Sequence, residues 1–117
     1  MSQAEKDRCM DYIEFPATDL EKTKKFYSET FGWKFTDHGQ EYTSFTDGRM
    51  AGGFRTDKEV LAGGALVVLY STNLEAIEAR VKKNGGRIVQ DAFEFPGWRR
   101  FHFEDPNGNE LAVWSDR

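Results

Sequence analysis

Apolar and polar positions along this chain run the same course twice. Residues 10–15 alternate, with Ile13 and Phe15 on one side and Tyr12 and Glu14 on the other, as a half-buried strand does. Pro16 ends that strand. Across 19–30 the apolar spacing becomes helical, and Leu20, Thr23, Phe26, Tyr27 and Phe31 form one stripe. Gly32 supplies a helix stop, 33–36 a short strand, and 41–46 with 49–54 a hairpin across Asp47-Gly48. The second round has a strand at 65–70, a helix at 73–83 with Leu74, Ile77 and Val81 inward, and a stop at Gly85-Gly86. Strands at 87–90, 98–104 and 109–114 follow, separated by Pro96-Gly97 and by the tight turn 105–108. Thr18 and Thr72 read as N-caps, each with a glutamate three residues on (Glu21, Glu75) in a T-x-x-E capping box.

Thr18 and Thr72 stand 54 positions apart, and the turn glycines Gly48 and Gly108 stand 60 apart. A βαβββ unit of this size buries its sheet poorly alone, so two copies should pack side by side. The expected fold is α+β: two βαβββ modules forming a curved mixed sheet around a concave pocket. The chain reads as a single domain, 1–117, with module 1 over about 10–54, a linker over about 55–63 and module 2 over about 64–116. Residues 1–8 read as a polar, frayed start.

Alternation also divides each strand between two faces. If Ile13/Phe15, Val67/Leu69, Phe101/Phe103 and Leu111/Val113 pack on the helices, the opposite set faces the concavity. That set holds Tyr12, Glu14, Leu66, Val68, Tyr70, Arg100, His102, Glu104, Glu110, Ala112 and Trp114. Aromatic walls with a few ionisable groups describe a small-molecule pocket. Trp98, just after Pro96-Gly97, sits at its mouth as a lid or an edge shield. His102 is either a hydrogen-bonded wall residue or an acid–base group or metal ligand, whereas His38 lies in a polar loop and reads as solvated. Arg100 is the expected partner of Glu14 and Glu110. Gly52-Gly53 inside a strand signals a bulge or a close approach by a ligand or partner backbone.

A net charge of −4 and a pI near 5.2 argue against nucleic acid, which requires a basic stripe. No window approaches the ~20 apolar residues of a membrane span, and the single cysteine, Cys9, precludes an intramolecular disulfide. The expectation is a cytoplasmic protein without a membrane partner. Nucleotide-binding glycine fingerprints, a nucleophile elbow, CxxC and HExxH are missing from the sequence.

The segments D-L-E-K-T-K-K-F-Y-S-E-T-F-G-W-K-F (19–35) and D-P-N-G-N-E-L-A-V-W (105–114) resemble the vicinal oxygen chelate superfamily of glyoxalases, bleomycin-resistance proteins and dioxygenases. The resemblance runs from about residue 10 to 114 and implies the paired βαβββ fold read above. It also implies two-fold homodimers and, in the metalloenzymes, His/Glu ligands on the first and last strand of each module. Carried across, those four positions are Tyr12, Gly52, Leu66 and Ala112, so the usual metal site is expected to be missing, with no cofactor. The resulting expectation is a small-molecule binding protein using Tyr12, Glu14, Leu66, Tyr70, Trp98, Arg100, His102, Glu110, Ala112 and Trp114. The alternative is a metal-dependent lyase, isomerase or dioxygenase with a displaced site of Glu14, His102 and Glu110. The sequence leaves open whether any reaction is catalysed.

Overall fold

A computed structural model describes residues 5, 7–61 and 64–117. Most of the polar start (1–4 and 6) and the end of the linker (62–63) lie outside the described residues. The first module comprises β1 (Tyr12–Pro16), α1 (Leu20–Phe31), β2 (Lys34–Asp37), β3 (Tyr42–Thr46) and β4 (Ala51–Arg55). The second comprises β5 (Val67–Tyr70), α2 (Leu74–Lys83), β6 (Arg87–Phe95), β7 (Trp98–Glu104) and β8 (Glu110–Ser115). Each module makes its own four-stranded mixed sheet, ordered β1-β4-β3-β2 and β5-β8-β7-β6. In each, the first strand runs parallel to the last and the remaining pairs are antiparallel.

The two sheets share one core on their helical side. Helix α1 is the wedge between them. Its Tyr27 packs on Phe54 of β4 with ring centroids 5.1 Å apart, while Phe26 and Phe31 reach Phe103 of β7 at 6.0 and 5.8 Å. Leu74 and Val81 of α2 are also fully buried. Ile13, Phe15, Phe101, Phe103, Leu111 and Val113 all join this core, so the opposite strand faces are left without a helical cover.

The helix starts differ from the capping-box expectation by one residue. Asp19 and Asn73 are the N-caps, accepting from Lys22 N and Ala76 N, and they preserve the 54-residue repeat. Thr18 is engaged elsewhere: its N–H and hydroxyl both donate to Oδ1 of Asn107, at 2.9 and 3.2 Å. This contact belongs to a polar clasp between modules. Asn107 Nδ2 donates to Thr23 Oγ1 at 2.9 Å, and Asn109 Nδ2 donates to the Pro16 carbonyl at 2.8 Å. Buried Asp105 accepts from Tyr27 Oη at 2.8 Å and from the backbone N–H groups of Asn107 and Asn109, each at 2.9 Å. Desolvation raises the Asp105 pKa above the ordinary carboxylate value, against the pull of the Tyr27 hydrogen bond and the backbone N–H groups. The D-P-N-G-N turn is thus the lock that ties module 2 to the start of α1.

Two further expectations change. The first hairpin loop spans four residues, 47–50, closed by Asp47 N–H donating to the Met50 carbonyl. Strand β6 continues well past residue 90, to Phe95, with register irregularities between Ile88 and Phe93. That extension carries Phe93 and Phe95 over the second sheet.

Candidate functional site

The expected site residues divide among three places rather than around one cavity. Over the second sheet lies a hollow of about 360 Å³ lined by Val68, Trp98, Arg100 and Trp114. Trp98 and Trp114 form an edge-to-face corner with centroids 6.4 Å apart, and Tyr70 extends it, 5.1 Å from Trp114. Phe95 stacks on Trp98 at 4.1 Å, which fixes the indole as a wall. The tight Gly97 turn, at a φ of 89°, sets Phe95 and Trp98 directly opposite each other across the β6–β7 ladder. Arg100 sends its guanidinium between aromatic rings, 5.5 Å from the Phe93 centroid and 5.6 Å from that of Trp98.

A second place is the seam between the modules. Here Glu14, Leu66 and Glu110 line a groove of about 450 Å³ together with Pro16, Leu61 and Asn109. His102 stands beside this seam, its Nδ1 2.8 Å from Glu110 Oε2, while its Nε2 is buried without a partner. A Glu110 carboxylate at that distance holds the proton on Nδ1 and leaves Nε2 as the free ring position. Ala112 is fully buried in the floor of the sheet.

The third place is the open face of the first sheet, where a hydrogen-bonded chain crosses three strands. Tyr12 Oη lies 2.5 Å from Tyr42 Oη, Tyr42 donates to Glu14 Oε2 at 2.8 Å, and Arg55 reaches Glu14 Oε1 at 3.3 Å. Burial, then the hydrogen bonds to Tyr12 and Glu14, push the Tyr42 phenol well above its usual pKa. Arg55 also grips Asp57 through Nε and Nη2 at 2.8 and 2.9 Å. His38 is exposed and pairs with Ser44 Oγ at 2.9 Å.

The expected pairing of Arg100 with Glu14 and Glu110 is therefore incorrect. Glu14 belongs to Arg55 and Tyr42, and Glu110 belongs to His102. Glu14, His102 and Glu110 stand in two separate pairings, and no group of three His, Cys, Asp or Glu placed to hold a metal occurs among the described residues. The carried-over position Gly52 is corrected as well. Glu14 pairs with Gly53 as Val68 pairs with Ala112, so Gly53 is the counterpart of Ala112. The cause is a second-module turn one residue longer, closing from Asp105 N–H to the Asn109 carbonyl. Gly52 instead faces the helices, where a Cβ would strike the Ile13 carbonyl and the Phe45 ring. The ladders run through both glycines without a register shift, so no bulge requires them. Gly52 admits Phe45 on one side, and Gly53 admits the Tyr42 and Tyr12 hydroxyls on the other. The four corrected positions, Tyr12, Gly53, Leu66 and Ala112, offer a single oxygen, already hydrogen-bonded. This donor set does not fit a divalent cation.

Sequence reasoning missed Phe93, Phe95, Tyr42 and Arg55. The F-E-F alternation running into Pro96-Gly97 was a usable hairpin signal for the first two. Tyr42 alternates with buried Thr43 and Phe45, so its face was legible, but its bond to Glu14 was not.

Two mixed βαβββ sheets sharing a helical core, with pockets on the opposite faces, define a glyoxalase-like fold. The chain belongs to the Glyoxalase/Bleomycin resistance protein/Dioxygenase superfamily, whose family model matches residues 10–113. It is 35% identical over 118 residues to a glyoxylase-like domain-containing protein of Didymella fabae, covering 86% of this chain and 88% of that one. A glyoxalase/bleomycin resistance protein/dioxygenase family enzyme of Burkholderia phytofirmans PsJN superposes with a TM-score of 0.81 at 14% identity, over 92% of this chain and 100% of that one. The fosfomycin resistance protein FosX of Mesorhizobium loti gives 0.76 at 15% identity, over 92% of both chains. At such identities the structural likenesses establish the fold alone. No helix among the described residues is long and apolar enough to cross a membrane.

Proposed function

We propose that this chain is a small-molecule binding protein of the glyoxalase/bleomycin-resistance type, acting without the superfamily's metal site. The carrying observation is the aromatic hollow formed by Val68, Trp98, Arg100 and Trp114, a concave, mostly apolar space with one polar anchor. The residues at the superfamily's ligand positions support binding over metal-assisted chemistry, because their side chains lack the donors. Both modules work as one domain in this reading.

We further propose a cytoplasmic homodimer with no nucleic-acid or membrane partner. The net charge of −4 supports the first exclusion. The pairing is supported by the uncovered sheet faces, where Tyr12 and Tyr70 are 45% and 47% exposed and Leu66 and Val68 are exposed as well. A second copy laid across these faces would cover them and deepen the hollow. Elution of the purified protein at single-chain mass would contradict the pairing.

The binding reading is tested by thermal-shift screening of a small-metabolite library, with tryptophan fluorescence on the hits. A true ligand raises the melting temperature, perturbs Trp98 and Trp114, and loses affinity in Trp114→Ala. A library without any stabilising compound overturns the reading.

A further inference from the structure

Every arginine lining a strand near the sites has a carboxylate partner except one. Arg55 holds Glu14 and Asp57, Arg87 holds Glu104 at 2.7 Å, and Arg99, on the opposite face of β7, holds Glu75 at 2.5 Å. The Arg100 side chain has neither an ion pair nor a hydrogen bond with any described residue, and its Nε is buried without a partner. Two rings instead hold the guanidinium in place, Phe93 at 5.5 Å and Trp98 at 5.6 Å. Such contacts orient a cation without neutralising it or satisfying its N–H groups. The group lines an apolar hollow, where an unmatched charge interacts strongly with whatever enters.

We propose that the hollow selects planar aromatic carboxylates, the carboxylate seated on the Arg100 guanidinium and the ring packed in the corner of Trp98 and Trp114. This deepens, and rests on, the small-molecule reading above. A guanidinium presents parallel N–H donors in a rigid plane, which match a carboxylate in bidentate fashion. The perpendicular indoles give a flat ring one face to stack on and one edge to meet. The volume of about 360 Å³ lies at the small end of ligand clefts, ~300–1,000 Å³, and suits one or two fused rings. The net charge of −4 works against anions at long range, so the selectivity is local to Arg100.

The test is isothermal titration of the full chain with three matched probes: 2-naphthoate, its neutral amide and the corresponding naphthylmethylammonium. The carboxylate is expected to bind at least ~10-fold more tightly than the amide, and the ammonium most weakly, since charge-assisted hydrogen bonds contribute about that much. Arg100→Gln should weaken the carboxylate about 10- to 100-fold and the amide by clearly less, since the amide carbonyl loses only the weaker hydrogen bond of a neutral acceptor. Arg100→Lys should recover only part of the loss, because an ammonium lacks the planar fork. Equal binding of amide or ammonium, or an unaffected Arg100→Gln variant, overturns the carboxylate assignment while leaving a small-molecule site in place. If no probe binds but a library compound of other chemistry stabilises the protein, the assignment again falls alone; if both fail, the underlying reading falls too. Gel filtration of Arg100→Gln supplies the remaining check. Loss of a dimer with carboxylate affinity intact would mean that a second copy is the arginine's partner and would overturn the proposal.

Discussion

Replacing Asp105 by alanine should loosen one module from the other. The carboxylate is buried between α1 and the β7–β8 turn and gathers three close donors: Tyr27 Oη and the backbone N–H groups of Asn107 and Asn109. Tyr27 is completely buried, so its stranded hydroxyl has no route to water. A buried donor left unsatisfied costs ~1–3 kcal/mol, and about 1 kcal/mol is lost for each turn N–H that water partly re-satisfies. Some of this is returned, because the raised Asp105 pKa shows that burying the charge is itself unfavourable. The net expectation is about 3 kcal/mol, near the upper end for single substitutions. For a domain of this size that lowers the melting temperature by about 12 °C. Urea denaturation of Asp105→Ala, Tyr27→Phe and the double variant measures both the cost and its origin. Removing the phenol hydroxyl alongside the carboxylate should recover ~1–2 kcal/mol relative to additivity. A single-variant cost below ~1 kcal/mol, or strict additivity in the cycle, would refute the clasp.

Two other outcomes follow from the geometry. Gly52→Ala should be much more damaging than Gly53→Ala, by about 2 kcal/mol or more, because its methyl meets a backbone carbonyl and a packed ring, whereas that of Gly53 meets hydroxyls at the ends of movable side chains; comparable melting temperatures would contradict this. Asp37 is held below the ordinary carboxylate pKa chiefly by hydrogen bonding to Lys24. A depressed folded-state pKa gives stability that is present above the unfolded pKa and lost as pH falls through the folded one. The stability gap between the wild type and Asp37→Asn should therefore hold down to about pH 5 and shrink steadily as the pH falls from there to below about 3; a gap independent of pH would remove the ion pair as its source. Asp105 has the opposite sign, since its raised pKa makes protonation on acidification favour the folded state for that group alone.

Some of the site was legible early because its rules are local. Strand alternation correctly sent Phe101, Phe103, Leu111 and Val113 to the core, and left Tyr70, Arg100 and Trp114 on the other face. The helix starts were legible to within one residue, because Thr18 and Asp19 are both good caps and only the competing claim of Asn107 on Thr18 separates them. Partner choice was another matter. Arg55 wins Glu14 because β4 lies beside β1, and a bulge-bearing β6 brings Phe93 to Arg100. The four-residue turn at 47–50, against the longer turn at 105–109, shifted the counterpart of Ala112 from Gly52 to Gly53, a slip that reverses the face.

From its sequence alone, this protein is a twice-repeated βαβββ chain with aromatic and ionisable residues on the faces turned from its helices. Hydrophobic period and turn chemistry are properties of neighbouring residues, so they survive without coordinates. The tertiary structure decided that Asp105 and Asn107 lock the modules, that Glu110 belongs to His102, and that Arg100 stands unpaired in an indole-walled hollow. Those outcomes depend on which groups arrive within 3 Å of one another across as many as 93 residues of chain, as Pro16 and Asn109 do, and no local pattern encodes that distance.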